Sequence, residues 1–153
     1  MMPRIGIGYD SHRFAAGRKL VLGGVEIEHE AGLEGHSDAD VVAHAIIDAV
    51  LGAAGLGDLG SHFPPDDERW KDADSLDLLR TAMAMVSGRV VNVDATVVCE
   101  APRLAEHRPE MERLLGDAVG APVSIKATTN EGMGWIGRGE GVACVAVALL
   151  DAG

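Results

Sequence analysis

Residues 142–150 read V-A-C-V-A-V-A-L-L. As a strand, with its side-chain period of two, this places Val142, Cys144, Ala146 and Ala148 on one face and Ala143, Val145, Val147 and Leu149 on the other. Both faces are apolar, so both need cover. Helices can supply one side. The other calls for a neighbouring subunit, and the chain is expected to form an oligomer.

Working outward from this strand, Arg4–Asp10 alternates Ile5, Ile7 and Tyr9 with Gly6 and Gly8 and reads as a first strand, and Lys19–Ile27 as a hairpin bent at Gly23-Gly24. A short loop is expected over Glu30–Ser37. The clearest helix follows, with Ser37 as N-cap, Asp38 and Asp40 in its first turn, and an end near Gly55 or Gly57. Asp58–Asp72 shows no periodicity and reads as a long loop of functional character. Further helices are expected over Ser75–Val86 and Pro109–Val119, strands over Arg89–Cys99 and Val123–Thr128, and a glycine-rich loop over Gly132–Gly141.

With 153 residues and no linker or repeat, the chain fits one domain. Aromatics are only 3%, so Val, Ala, Leu and Ile must build the core. The net charge of −11 disfavours nucleic acid and anionic membrane as partners. No apolar run reaches the roughly 20 residues of a membrane span, and no leader pattern opens the chain, so a cytoplasmic protein is the simplest expectation. Cys99 and Cys144 lie in apolar runs without CxxC spacing and read as buried, reduced thiols.

Two groups of residues carry chemistry. Asp10 and His12 are separated by one residue and point to the same side if the first strand extends through them, and His44 lies on the first long helix. A carboxylate with two imidazoles suits zinc with an open fourth position, and manganese or iron is also compatible. Asp38, Asp40 and Asp48 flank His44, either to orient a ligand or as a solvated acidic face. For phosphate, His36 and Ser37 stand at the expected helix N-terminus. The run Lys126–Glu131 offers Thr hydroxyls, loop amides and a carboxylate for magnesium, with Arg138 as a charge clamp. The order of a P-loop is absent.

Seven segments in one order carry a resemblance: R-I-G-I-G-Y-D-S-H-R-F at 4–14, G-H-S-D-A-D-V-V-A-H at 35–44, D-A-V-L-G-A-A-G-L-G-D-L-G at 48–60, F-P-P-D-D at 63–67, E-A-P-R-L at 100–104, K-A-T-T-N-E at 126–131 and G-R-G-E-G at 137–141. The chain resembles the 2-C-methyl-D-erythritol 2,4-cyclodiphosphate synthase family of the non-mevalonate isoprenoid pathway. The resemblance implies a single α+β domain over residues 1–153, a mixed β-sheet with helices packed on one face, and a homotrimer formed through the sheets around a threefold axis, with active sites between subunits. It implies a phosphorus–oxygen lyase that closes 4-diphosphocytidyl-2-C-methyl-D-erythritol 2-phosphate into the cyclic 2,4-diphosphate and releases CMP. It assigns zinc, or manganese, to Asp10, His12 and His44, and a second magnesium or manganese ion to Glu131. His36 and Thr129 match transition-state-stabilising positions and Ser37 a phosphate contact. Asp58, Gly60 and the Phe63–Asp67 loop match contacts to the erythritol. Ala101, Pro102, Arg103, Leu104, Thr128, Thr129, Asn130 and Glu131 match the cytidine site, and Trp135 and Arg138 further substrate contacts. Val145 stands where channel-binding members of the family carry an acidic residue, which argues against prenyl-phosphate binding there. A metal-dependent phosphohydrolase using the same ligands and a non-catalytic metal-binding or lipid-binding trimer are the competing readings.

Overall fold

The last strand sits near the middle of the sheet. In the computed structural model, which describes residues 1–153, β7 (Gly141–Asp151) is flanked by β1 (Pro3–Ala16) and β5 (Arg89–Val98), antiparallel to both. β4 (Ala31–Leu33) pairs with the far end of β1. β6 (Val123–Thr128) joins β5 in parallel, which gives a five-stranded mixed sheet in the order β4-β1-β7-β5-β6. β2 (Leu20–Leu22) and β3 (Val25–Ile27) form the expected hairpin across Gly23-Gly24.

One face of this sheet carries α1 (Val41–Ala54). Gly6 and Gly8 explain how closely it packs. A Cβ on Gly8 would overlap the Ala45 carbonyl, and one on Gly6 would overlap the Ala49 carbonyl. The alternation of the first strand is therefore a groove for a helix backbone. Beside α1 lies α3 (Ser75–Met85), and α4 (Arg108–Val119) packs against α3 and β6. Together with the inward halves of β5, β6 and β7 they bury a core of small aliphatic side chains.

The other face differs. Ile5, Ile7, Tyr9 and Val147 are 75, 71, 56 and 43% exposed in the single chain. Register puts Ile5 opposite Leu149, Ile7 opposite Val147 and Tyr9 opposite Val145, so they form one continuous apolar surface. A patch of this kind marks an interaction surface.

Several sequence expectations need correction. The first long helix begins at Val41, with Asp40 as its N-cap; Ser37 is not the cap, and Asp38 and Asp40 precede the first turn. The reason is non-local. The completely buried Asp40 carboxylate accepts from Val42 and Ala43 of the helix (3.0 and 3.1 Å) and also from Gly23 and Gly24 of the hairpin (2.9 and 2.8 Å). The expected Glu30–Ser37 loop contains β4. The 58–72 segment contains the short α2 (Leu59–His62), capped by Asp58, and a 3-10 turn at Glu68–Trp70. The glycine-rich loop contains the short α5 (Gly134–Gly137).

Burial, then the charge of Asp38, push the Asp40 carboxyl up to about 6, against the pull of the Ala43, Gly23 and Gly24 amides. Asp40→Ala strands four amides at the junction of hairpin and helix. It is expected to destabilise the protein by about 3–5 kcal/mol, the loss of a cap plus unsatisfied buried donors. Urea unfolding measures this, and Asp40→Asn, which keeps one acceptor oxygen, should cost less.

Candidate metal centre and adjoining pockets

β1 carries Asp10 and His12 on its inward side, and α1 lowers His44 onto them. The Asp10 Oδ2 atom lies 2.9 Å from His12 Nε2 and 3.1 Å from His44 Nδ1, and the two imidazole nitrogens are 3.4 Å apart. The hydrogen bonds on the far sides of the rings decide what these atoms offer. His12 Nδ1 lies 2.7 Å from the Glu34 carbonyl, which only accepts, so Nδ1 carries the proton and Nε2 presents its lone pair inward. His44 Nε2 lies 2.8 Å from Ser75 Oγ and 3.2 Å from Ser37 Oγ, and its Nδ1 faces Asp10. Three donor atoms thus converge within 4.8 Å of one another, a set that fits a divalent cation.

Burial alone would raise the Asp10 carboxyl, but hydrogen bonds and charge from His12 and His44 outweigh it and hold it at about 2. Burial likewise lowers His12, but Asp10 and the Glu34 carbonyl win and raise it above its ordinary value. In the metal-free site Asp10 therefore favours a proton on His12, at the place a cation would take.

The pocket around these ligands, about 230 Å³, is also lined by His36, Ser37, Gly60 and Phe63 among the expected residues. His36 Nε2 lies 3.0 Å from the Asp67 carbonyl, and Arg18 donates to the Ser37 carbonyl at 2.7 Å, which pins that segment. Pro65, from the expected 63–67 loop, and Leu59, Trp70 and Leu78, which were not expected there, complete the wall; Phe63 and Trp70 meet edge to face at 5.0 Å between ring centres. The α1 N-terminus lies at Val41 rather than at Ser37, and Asp40 already occupies the amides of Val42 and Ala43, so those two amides are not free for phosphate.

A second pocket lies elsewhere on the chain, lined by Cys99, Glu100, Pro102, Arg103, Leu104, Ala105, Ala127, Thr128 and Thr129. Glu100 shapes its rim by accepting from Asn130 (2.6 Å) and Gly132 (2.9 Å) amides. The two pockets share no lining residue. Glu131 belongs to this second region, is exposed, and does not join Asp10, His12 and His44 within one chain. Ala101 lines a neighbouring hollow with His29 and Phe14. Trp135 lines a shallow one beside His12, and Arg138 pairs with Glu140 at 2.6 Å. The Asp58 carboxylate is taken up by the Ser61 amide and hydroxyl, and that of Asp67 by Arg69. Both cysteines are buried and free, and burial raises the Cys99 thiol to about 11, leaving it inert.

The fold and the converging donors define a single-domain α+β protein with a candidate divalent-metal centre at the edge of a ligand-sized pocket. The YgbB family matches residues 3–151, and the chain belongs to it. It is 57% identical to the 2-C-methyl-D-erythritol 2,4-cyclodiphosphate synthase of Symbiobacterium thermophilum, over 95% of this chain and 97% of that one. Among solved structures, the bifunctional IspDF of Campylobacter jejuni superposes with a TM-score of 0.92 at 38% identity, covering 97% of this chain and 42% of that one. The CDP complex of IspF from Plasmodium falciparum superposes with a TM-score of 0.84 at 31% identity, covering 97% and 96%.

Proposed function

We propose that the protein converts 4-diphosphocytidyl-2-C-methyl-D-erythritol 2-phosphate to 2-C-methyl-D-erythritol 2,4-cyclodiphosphate and CMP in isoprenoid precursor synthesis. The observation that carries this reading is the convergence of Asp10, His12 and His44 beside His36 and Ser37, in a chain whose relatives bear that synthase name. The 2-phosphate oxygen forms a bond to the β-phosphorus, the bond from that phosphorus to the bridging oxygen breaks, and CMP leaves as the anion. No water enters.

The obstacle is repulsion between two anionic phosphates in an acidic protein. Asp10, His12 and His44 would hold a divalent cation, zinc or manganese, and Glu131 a second magnesium or manganese ion. When bound, these ions neutralise phosphate charge and polarise the phosphorus under attack. His36 and Thr129 donate to charge that develops in the transition state. Asp58, Gly60 and the 63–67 segment orient the erythritol, and Ala101–Leu104 with Thr128–Asn130 orient the cytidine. Fixing both reacting ends removes much of the entropic barrier to ring closure. Apolar walls from Leu59, Phe63, Trp70 and Leu78 exclude the water that would divert the reaction to hydrolysis.

The active unit is a homotrimer. The uncovered Ile5, Ile7, Tyr9, Val145, Val147 and Leu149 surface supports that reading, as does the division of the expected site residues between two separate pockets. No helix is long and apolar enough to cross a membrane, and the same reading places the enzyme in the cytoplasm.

Phosphorus NMR with the diphosphocytidyl substrate and magnesium, before and after metal stripping, tests the activity. CMP with a cyclic diphosphate, lost on stripping and restored by zinc, is the expected result. Inorganic phosphate as product would point instead to a phosphohydrolase.

A further inference from the structure

The far side of the His44 ring meets an ordered chain of groups that none of the expected ligands explains. Ser75 is completely buried at the start of α3, a polar side chain with no water to bond. Its hydroxyl touches two groups, His44 Nε2 at 2.8 Å and the Asp38 carboxylate in a very short contact. A carboxylate only accepts, so Ser75 must donate its single proton to Asp38. The Ser75 oxygen can then only accept from the ring, which puts the proton on His44 Nε2 and leaves the lone pair on Nδ1. Nδ1 is the atom that faces Asp10 and His12. Asp38 is itself held by the Ser75 amide at 3.0 Å, and the Asp38 amide by the Ala73 carbonyl at 3.2 Å, so the start of α3 fixes the whole arrangement.

We infer that Asp38 and Ser75 form a positioning pair that fixes the tautomer and the rotation of His44 and thereby sets the affinity of the metal centre. Ser37 does not share this role. Its oxygen is farther from the ring, at 3.2 Å, is shared with the Ala39 amide at 3.1 Å, and has no carboxylate behind it. Negative charge on Asp38 is passed through one hydroxyl to the ring, making Nδ1 a stronger donor. Asp38 also accepts from the Asp40 amide at 3.1 Å, but the pair reaches the three converging donor atoms through His44 alone. The inference rests on the reading of Asp10, His12 and His44 as a metal site.

The test measures zinc affinity of the full chain against a chromophoric chelator, and the visible spectrum of the cobalt(II) form. Ser75→Ala should weaken zinc about 10- to 100-fold and Asp38→Asn about 10-fold, the range found when a ligand loses its orienting partner. The double variant should be no weaker than Ser75→Ala, because Asp38 acts through Ser75. The cobalt bands should shift in Ser75→Ala, a change that a merely structural defect in folded protein would not produce. If Ser75→Ala does not fold, Asp38→Asn, which keeps the hydrogen-bonding shape, carries the test. Zinc binding within threefold of the parent for both variants with unchanged cobalt bands would overturn the inference, as would additive losses in the double variant. A parent chain that binds neither metal would overturn the metal-site reading beneath it.

Discussion

Asp10→Asn should weaken zinc binding by more than the roughly 100-fold that loss of an orienting partner costs, and cyclisation should fall with it. Asp10 is the one formal negative charge among the three converging donors, and its Oδ2 lies within 3.1 Å of both imidazoles. The amide is nearly isosteric but supplies no charge to draw a cation between two nitrogen lone pairs. The pH dependence should change with it. The folded value of Asp10, about 2, lies below its ordinary one, so its stabilisation is present above the unfolded value and lost as pH falls toward about 2. The folded value of His12 is raised, so its stabilisation is full below about pH 6.5 and lost as pH rises through the folded value. Metal-free protein should therefore lose stability as pH rises from about 6.5 through the folded value of His12. Zinc-loaded protein should gain stability over the same interval, because the cation replaces a proton that becomes easier to remove. Thermal unfolding with zinc and with chelator should give slopes of opposite sign. In Asp10→Asn both contributions should vanish. Parallel slopes in the parent protein would show that proton and metal do not compete for one place.

How much of this centre was legible in the sequence depends on the range of each interaction. Asp10 and His12 share a face because a strand repeats every two residues, and that much is local. The glycines at 6 and 8 marked a strand, but the backbone of α1 lying on them is a tertiary fact. Asp40 looked like any carboxylate in a first helical turn; only the fold brings Gly23 and Gly24 to its other side. Ser75 gave no signal beyond a serine at a helix start, since His44 and Asp38 lie 31 and 37 residues away along the chain. β4 was missed because A-G-L has no alternation to read, and the end of β1 alone makes it a strand. The candidate ligand His44 and the pocket residues beyond it were legible chiefly through the resemblance. That resemblance holds many positions fixed at once, where each motif alone is weak.

Two inactive variants should restore activity when refolded together. His44→Ala damages the pocket built by β1 and α1, while Glu131→Ala damages the region beside Thr128 and Thr129 and leaves the first pocket whole. Within one chain these regions do not meet. If a site joins the first region of one subunit to the second region of its neighbour, random mixing leaves a site with both halves intact about one time in four. Co-refolded protein should then show about a quarter of the parent activity, against almost none for either variant alone. The apolar sheet face sets whether this can happen at all. Val147→Lys puts a charge in the middle of the Ile7–Val147 row and should leave a folded but dissociated, inactive chain, because burying an unpaired charge costs several kcal/mol. Light scattering reads the assembly, and turnover reads the site. Activity that stays absent in the mixture, from variants that assemble normally, would place both regions' contributions within a single subunit. Persistent assembly of Val147→Lys would mean that this face is not the one that joins the subunits. Two failures of different kind would then separate the shared site from the surface that builds it.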